Sequence, residues 1–384
     1  MRILILGGDG YLGWPTAMHF ACKGHEVCVV DNYFRREIAR DTDSLPLIDT
    51  PRLPERARRF KAETGCNIRV EEFDCCQYDE LLVLFKDFVP DTVVHYAEQP
   101  SAPYSMMGRL QAASTLHNNL GTTFNLIWAC LEANPDCHVV KLGTMGEYGT
   151  PNIDIEEGWI EICHKGRKQE FLFPRQAGSL YHTTKVLDTD LLWFYVRTYG
   201  LRVTDLMQGP VYGMTGLDGL EHQALLPNFH YDDIFGTVVN RFLVQAVAGI
   251  PLTIFGEGGQ TRGYLNLKDT LQCVELAVLN PPETGKLQIL NQFTETFSVN
   301  QIAEKIVGAA SELGINASME KIPNPRKELE NHYYNPVNSG LLELGLKPNY
   351  MTNEVLVSML KIIVENKSKI VKSRILPRVR WSAS

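Results

Sequence analysis

The chain has 384 residues, 44% of them hydrophobic and 21% charged, with a formal net charge of −8. That is an ordinary globular composition with ample core, and its length predicts two domains or one large domain with an appendage. The acidic balance excludes broad nucleic-acid binding, the absence of an 18-residue apolar run excludes a helical membrane span, and nine scattered cysteines without a C-x-x-C predict buried free thiols rather than a metal site.

Residues 2–6 are a short apolar run, as in a strand buried on both faces. Gly7, Gly10 and Gly13 follow at once, ahead of a helix-like stretch over 12–23. The physics needs this order. Gly7 permits a tight turn, Gly10 lets the backbone approach a pyrophosphate, and Gly13 lets the helix pack close to the sheet with its N-terminus facing the anion. A second strand, 26–30, ends in Asp31. An acid there accepts hydrogen bonds from ribose hydroxyls and repels a 2′-phosphate, so the pattern predicts NAD rather than NADP. Arg35 and Arg36 remain open between a 2′-phosphate, the NAD phosphates and solvent.

Further strands are predicted at 68–73, 91–96, 137–142 and 201–207, with amphipathic stretches at 79–88, 106–133 and 180–199. This alternation predicts an α/β fold with a Rossmann-type, doubly wound parallel sheet. Segments 32–67 and 146–179 are long connections, of the kind that shape a substrate site. Beyond 207 the rhythm breaks into short strands (252–255, 286–291) and helices (237–248, 298–313, 353–366). The expected division is an NAD-binding domain over 1–206 and a smaller α/β substrate domain over 207–384, with 237–250 and 286–292 open to return to the main sheet. From Lys367 the tail carries six basic residues and no acid, and Ile375, Leu376 and Trp381 predict that part of it packs on the body. Met1 opens directly into the first strand, which predicts a cytoplasmic protein, or a stromal one for a processed organellar form.

Tyr181 and Lys185 are four apart and share a helix face. A tyrosine, with an ordinary pKa near ~10, is a poor base at neutral pH. A nearby ammonium and a positive nicotinamide ring lower that value, so the phenolate can take a proton from a sugar hydroxyl as hydride leaves. A third member is expected at the end of the preceding strand, where Thr144 stands. It either positions the substrate oxygen or caps a turn.

On these motifs the chain resembles an extended short-chain dehydrogenase/reductase acting on nucleotide sugars. More narrowly, the run Lys141-Leu142-Gly143-Thr144-Met145-Gly146-Glu147-Tyr148-Gly149 is similar to that of the UDP-sulfoquinovose synthase family. So are Ser101-Ala102-Pro103-Tyr104-Ser105, Gly259-Gln260-Thr261-Arg262-Gly263 and Asn324-Pro325-Arg326, and the likeness covers nearly the whole chain. The resemblance implies retained NAD, with UDP-glucose and sulfite as substrates and a sulfosugar nucleotide for lipid or glycan synthesis as product. It implies C4 oxidation, loss of water across C5 and C6, sulfite addition at C6 and reduction at C4. Tyr181, Lys185 and Thr144 are the implied redox residues. Related 4,6-dehydratases carry Asp-Glu after the strand-end threonine, whereas this chain has Met145-Gly146, so Glu147 and His182 become the candidates for the elimination's proton work. The reading of the residues alone keeps a UDP-sugar 4-epimerase or 4,6-dehydratase open, and gives least weight to a non-enzymatic NAD-binding scaffold.

For the cofactor the resemblance implies Tyr11 and Leu12 in the phosphate turn and Asp31, Asn32, Arg35 and Arg36 around the adenosine ribose. It also implies Asp74 and Cys75 near the adenine, Asn118 on its helix and Val211 near the nicotinamide. For the substrate it implies Gln208 at the sugar and Gln260, Arg262, Arg326 and Arg241 toward the pyrophosphate. No metal is implied, and a homodimer through 106–133 and 180–199 is. The plant-type pattern has an arginine after Glu-Gln, where this chain has Pro100, which leaves the sulfite site open.

Overall fold

A computed structural model describes residues 1–220, 222–326 and 332–379. Its strands are β1 (Arg2–Leu6), β2 (Glu26–Val30), β3 (Arg69–Glu71), β4 (Thr92–His95) and β5 (His138–Thr144). There follow β6 (Trp159–His164), β7 (Arg167–Leu172), β8 (Arg202–Gln208), β9 (Val211–Tyr212) and β10 (Leu252–Phe255). The last are β11 (Thr261–Asn266), β12 (Leu287–Gln292), β13 (Glu295–Ser298) and β14 (Met319–Ile322). Seven of these make one parallel sheet in the order β12-β8-β5-β4-β1-β2-β3. Strand order reverses between β1 and β4, and such a switch point opens a crevice at the carboxyl ends of the strands.

The continuous apolar runs follow from burial on both faces. Leu4 and Leu6 of β1 point into one core with the helices Tyr78–Phe88, Arg109–Ala133 and Leu180–Tyr199. Ile3 and Ile5, one residue out of step, point into the opposite core with the helices Gly13–Cys22 and Leu267–Leu279. Each such fully buried side chain contributes about 1.5–3 kcal/mol. A further core joins the helices Val238–Ala248, Val299–Glu312 and Asn353–Glu365. Beside it β10 pairs with β14.

Three segments differ from expectation. The connection 32–67 holds two helices, Phe34–Asp41 and Leu53–Thr64. Only Ile38 and Ala39 of the first are buried, so its charged sequence hides the period. The long insertion 146–179 holds the antiparallel hairpin β6–β7. The helix Leu267–Leu279 was not anticipated; it crosses between β11 and β12 and covers the main sheet. Residues 287–292 join that sheet beside β8, whereas the helix Val238–Ala248 packs in the further core. In the tail Ile375 is buried, Leu376 is exposed, and Arg378 pairs with Asp233 at 2.8 Å. Arg380 and Trp381 lie outside the described residues. Among the described residues no helix is long and apolar enough to cross a membrane.

Candidate active site

The crevice at the β1–β4 switch point is a deep cleft. Its floor is the glycine turn. Gly7 has φ +89°, and a Cβ there would stand 2.6 Å from the Tyr96 carbonyl carbon; at Gly13 a Cβ would meet the Gly7 oxygen at 2.1 Å. Side chains are therefore excluded at both positions, and the helix Gly13–Cys22 starts directly against the turn. Gly10, Tyr11 and Leu12 line the cleft between them, and the Tyr11 hydroxyl donates to the Gly213 carbonyl at 2.6 Å.

Asp31 and Asn32 line the next wall. The Asp31 carboxylate accepts from the backbone N–H groups of Asp9 (2.8 Å) and Tyr33 (2.6 Å), one on each oxygen. Each oxygen keeps a second lone pair, so the group can still accept from two ribose hydroxyls. Burial, and then neighbouring Asp9, push its pKa up to about 7. Asp74, Cys75 and Asn118 line the same end. Arg35 lines it too, with its guanidinium over the Phe235 ring and its buried Nε without a hydrogen-bond partner. Arg36 corrects the expectation of a cofactor contact. It forks onto Asp9 at 2.6 and 2.7 Å and donates to the Thr50 carbonyl, so it braces the loop and does not line the cleft.

At the other end the helix Leu180–Tyr199 starts from Ser179, whose Oγ accepts from the His182 N–H at 3.2 Å. That start brings Tyr181 and His182 into the cleft, opposite Gln208 and Val211. Thr144 lines the cleft, and its Oγ1 caps the following turn by accepting from the Gly146 N–H at 3.2 Å, one of the two roles expected of it. Glu147 completes this capping box by accepting from the Thr144 N–H at 3.2 Å. Its carboxylate also meets Lys141 Nζ at 3.3 Å, with the Arg175 guanidinium 3.7 Å away. Fully buried and turned from the cleft, Glu147 holds the turn together, which corrects its reading as a proton carrier. The T-x-x-E spacing was the sequence signal for this role.

His182 stands where the dehydratase acids would be. A Cβ at position 146 would lie 2.4 Å from His182 Nε2, so glycine there makes room for the imidazole ring. Its Nδ1 is 3.1 Å from Ser179 Oγ, which fixes the ring. Burial, then Arg326 and Arg262, push its pKa down to about 4, so the ring is neutral at pH 7.

Lys185 does not line the cleft; its Nζ donates to the Leu142 carbonyl at 2.6 Å and lies 2.7 Å from Glu98 Oε1. Glu98, which sequence reasoning missed, does line it. Burial raises the Tyr181 pKa, followed by Glu98 and Glu147, against the lowering effect of Lys141. The Lys185 ammonium expected to act on this phenol is paired with a carboxylate, Glu98.

The candidate phosphate-binding arginines converge from three elements. Arg326 lines the cleft; Arg241, Arg262 and Gln260 stand behind it. Arg241, on the helix Val238–Ala248, donates to the Thr253 carbonyl at 3.2 Å and stacks 4.2 Å from the Phe255 ring centre. Its Nε is buried without a partner, and burial and then Arg326 push its pKa down to about 9. Arg262 Nη1 is 2.7 Å from His332 Nε2, and Gln260 Nε2 donates to the Phe255 carbonyl at 3.1 Å. Of these arginines only Arg241 is buried.

A cleft with a glycine floor, a carboxylate at the end of β2 and a tyrosine brought in by the helix Leu180–Tyr199 fits a dinucleotide-dependent enzyme. The chain belongs to the NAD dependent epimerase/dehydratase family, whose pattern matches residues 3–291. It is 47% identical over 380 residues to the chloroplastic UDP-sulfoquinovose synthase of Spinacia oleracea, covering 99% of this chain and 79% of that protein. It is 43% identical over 384 residues to the UDP-sulfoquinovose synthase of Sulfolobus acidocaldarius, covering 99% and 98%. In fold it is similar to the UDP-glucose 4-epimerase of Bifidobacterium longum in complex with NAD+ and UDP. The TM-score there is 0.73 at 17% identity, over 96% of this chain and 100% of that one.

Proposed function

We propose that this chain makes UDP-sulfoquinovose from UDP-glucose and sulfite, with NAD retained between turnovers. The observation that carries the reading is one cleft wall on which Thr144, Tyr181 and His182 stand together, with His182 filling the space above Gly146. A 4,6-dehydratase of the usual kind needs an acid side chain in that space. The near-full-length likeness to two UDP-sulfoquinovose synthases supports the same reading.

The residues present fit the dinucleotide: the glycine turn and helix start for the pyrophosphate, Asp31 for ribose hydroxyls, and Arg35 for a phosphate charge. When bound, the nicotinamide accepts a hydride from sugar C4 and later returns it. Tyr181 Oη takes the proton of the C4 hydroxyl and gives it back at the end. Thr144 Oγ1 orients the C4 oxygen. The 4-keto group acidifies C5–H; neutral His182 accepts that proton and hands it to the C6 hydroxyl, which leaves as water. Hydrogensulfite then gives up its proton as its sulfur lone pair adds to C6 of the 5,6-alkene, and C5 takes up that proton. The sum is UDP-glucose plus hydrogensulfite giving UDP-sulfoquinovose plus water. Arg326, Arg262 and Arg241 hold the UDP pyrophosphate, and Gln208 meets the sugar. Pro100 lines the cleft without charge.

Exposed Leu110 and Phe124 on the helix Arg109–Ala133, with Leu187, Phe194 and Tyr199 on Leu180–Tyr199, support a homodimer through these helices. Light scattering of the purified protein reads that directly. Mass spectrometry of products from UDP-glucose, with and without labelled sulfite, tests the reaction. Label in a nucleotide sugar is expected; UDP-galactose formed without sulfite would favour the epimerase reading.

A further inference from the structure

The proposed redox centre contains a buried carboxylate that the chemistry above does not use. Glu98 follows the buried strand β4 (Thr92–His95) and lines the cleft, yet its side chain is only 2% exposed. Its Oε1 lies 2.7 Å from Lys185 Nζ and 3.6 Å from His95 Nε2. Its Oε2 is buried with no hydrogen-bond partner. The backbone around it is locked, because the next residue's N–H donates to Asn119 Oδ1 at 2.8 Å and Asn119 in turn donates to Thr184 at 2.9 Å on the Tyr181 helix. A carboxylate this buried is costly unless something specific compensates it.

We propose that Glu98 is a positioning residue of the redox centre, anchoring the Lys185 ammonium by an ion pair that tempers its action on the Tyr181 phenol. The inference rests on the reading of Tyr181 as the proton acceptor. The ammonium has two fixed partners, Glu98 and the Leu142 carbonyl, and both hold it at the back of the wall. The other groups around the phenol do not replace this effect. From β4, His95 is buried and pushed down to about 4, hence neutral. From β5, Lys141 is tied to Asp205 at 3.1 Å and to Glu147, and Arg175 leans on that same Glu147. On its own helix Asp188 is buried and its pKa is raised well above the ordinary range, while His182 is neutral. Glu98 itself stays ionised, since Lys185, His95 and Lys141 outweigh the burial that would raise it.

Protein with NAD bound and with tyrosine labelled at 13Cζ tests this, the Tyr181 signal being assigned by its loss in Tyr181→Phe. Glu98→Gln should lower the midpoint of that signal by about one pH unit, the usual effect of removing a nearby like charge. The acid limb of UDP-glucose-driven NADH formation should move with it. Glu98→Asp, which keeps the charge, should restore most of the wild-type midpoint. An unmoved midpoint in folded Glu98→Gln, or equal shifts for Gln and Asp, would overturn the proposal. Where Glu98→Gln does not fold, the unaltered protein decides. Its Glu98 13Cδ signal should remain that of a carboxylate down to below pH 4.5, and titration above pH 5 would refute the ion pair. Full turnover by Tyr181→Phe would sink the proton-acceptor reading alone, leaving the carboxyl measurement to judge Glu98.

Discussion

The two ends of the cleft are built from opposite materials. The dinucleotide end is mostly main chain and carboxylate, with a single lining arginine: the glycine turn, Asp31, Asp74 and Arg35, beside an Asp9 paired with Arg36 and Arg56. The nucleotide-sugar end is cationic, with Arg241, Arg262 and Arg326 around a neutral His182. Both ends must receive phosphates. On the proposed reading the first does so with backbone N–H groups at a helix start and with Arg35, the second with side chains, of which Arg241 is buried. An acidic protein can therefore bind two polyanions, because the attraction is local and the net charge is not what they meet.

Substitutions at the seam between the two ends should have the largest effects. Tyr181→Phe is expected to lower turnover about 10³-fold, in the range of a lost general base, while NAD stays bound; stopped-flow absorbance at 340 nm with UDP-glucose reads the first, and cofactor content after gel filtration the second. Gly146→Ala forces a methyl group against His182 and should cost about tenfold to a hundredfold in product formation, leaving the first reduction of NAD much less affected. Equal loss in both steps would mean the turn, rather than the imidazole, had been displaced.

Next come the separate ends. Arg326→Gln should raise the KM for UDP-glucose about tenfold with little change in NAD affinity, as for a lost charge-assisted hydrogen bond; Asp31→Asn should do the reverse. The second variant has a further signature in the protein freed of NAD. Asp31 has its folded pKa raised to about 7, above its ordinary value of 3.8. Its contribution is therefore most favourable below the unfolded value and is lost as pH rises from about 4 to about 7. Asp31→Asn should flatten that part of the stability curve, which urea unfolding at several pH values would detect.

Much of the dinucleotide end was legible in the chain because its signals are contiguous. A buried strand, three glycines at fixed spacing and an acid closing the next strand all fall within residues 2–31, and local backbone geometry dictates each. Tyr181 and Lys185 were legible for the same reason, being one helical turn apart. The roles of Arg36, Glu147 and Glu98 were not. Each depends on a partner brought by the fold: Asp9 across 27 residues, Arg175 from beyond the β6–β7 hairpin, and Lys185 across the cleft wall. Glu147 is the instructive case, since its capping spacing was readable but competed with a catalytic reading that only burial resolved.

By itself, then, the sequence determined the parallel sheet, the place of the glycine turn and the tyrosine–lysine pair, because strand burial, turn conformation and helix periodicity are all short-range. Tertiary structure alone decided which charges face the cleft and which neutralise one another behind it. Coulomb attraction and desolvation depend on distance and burial in space, and neither is encoded by separation along the chain.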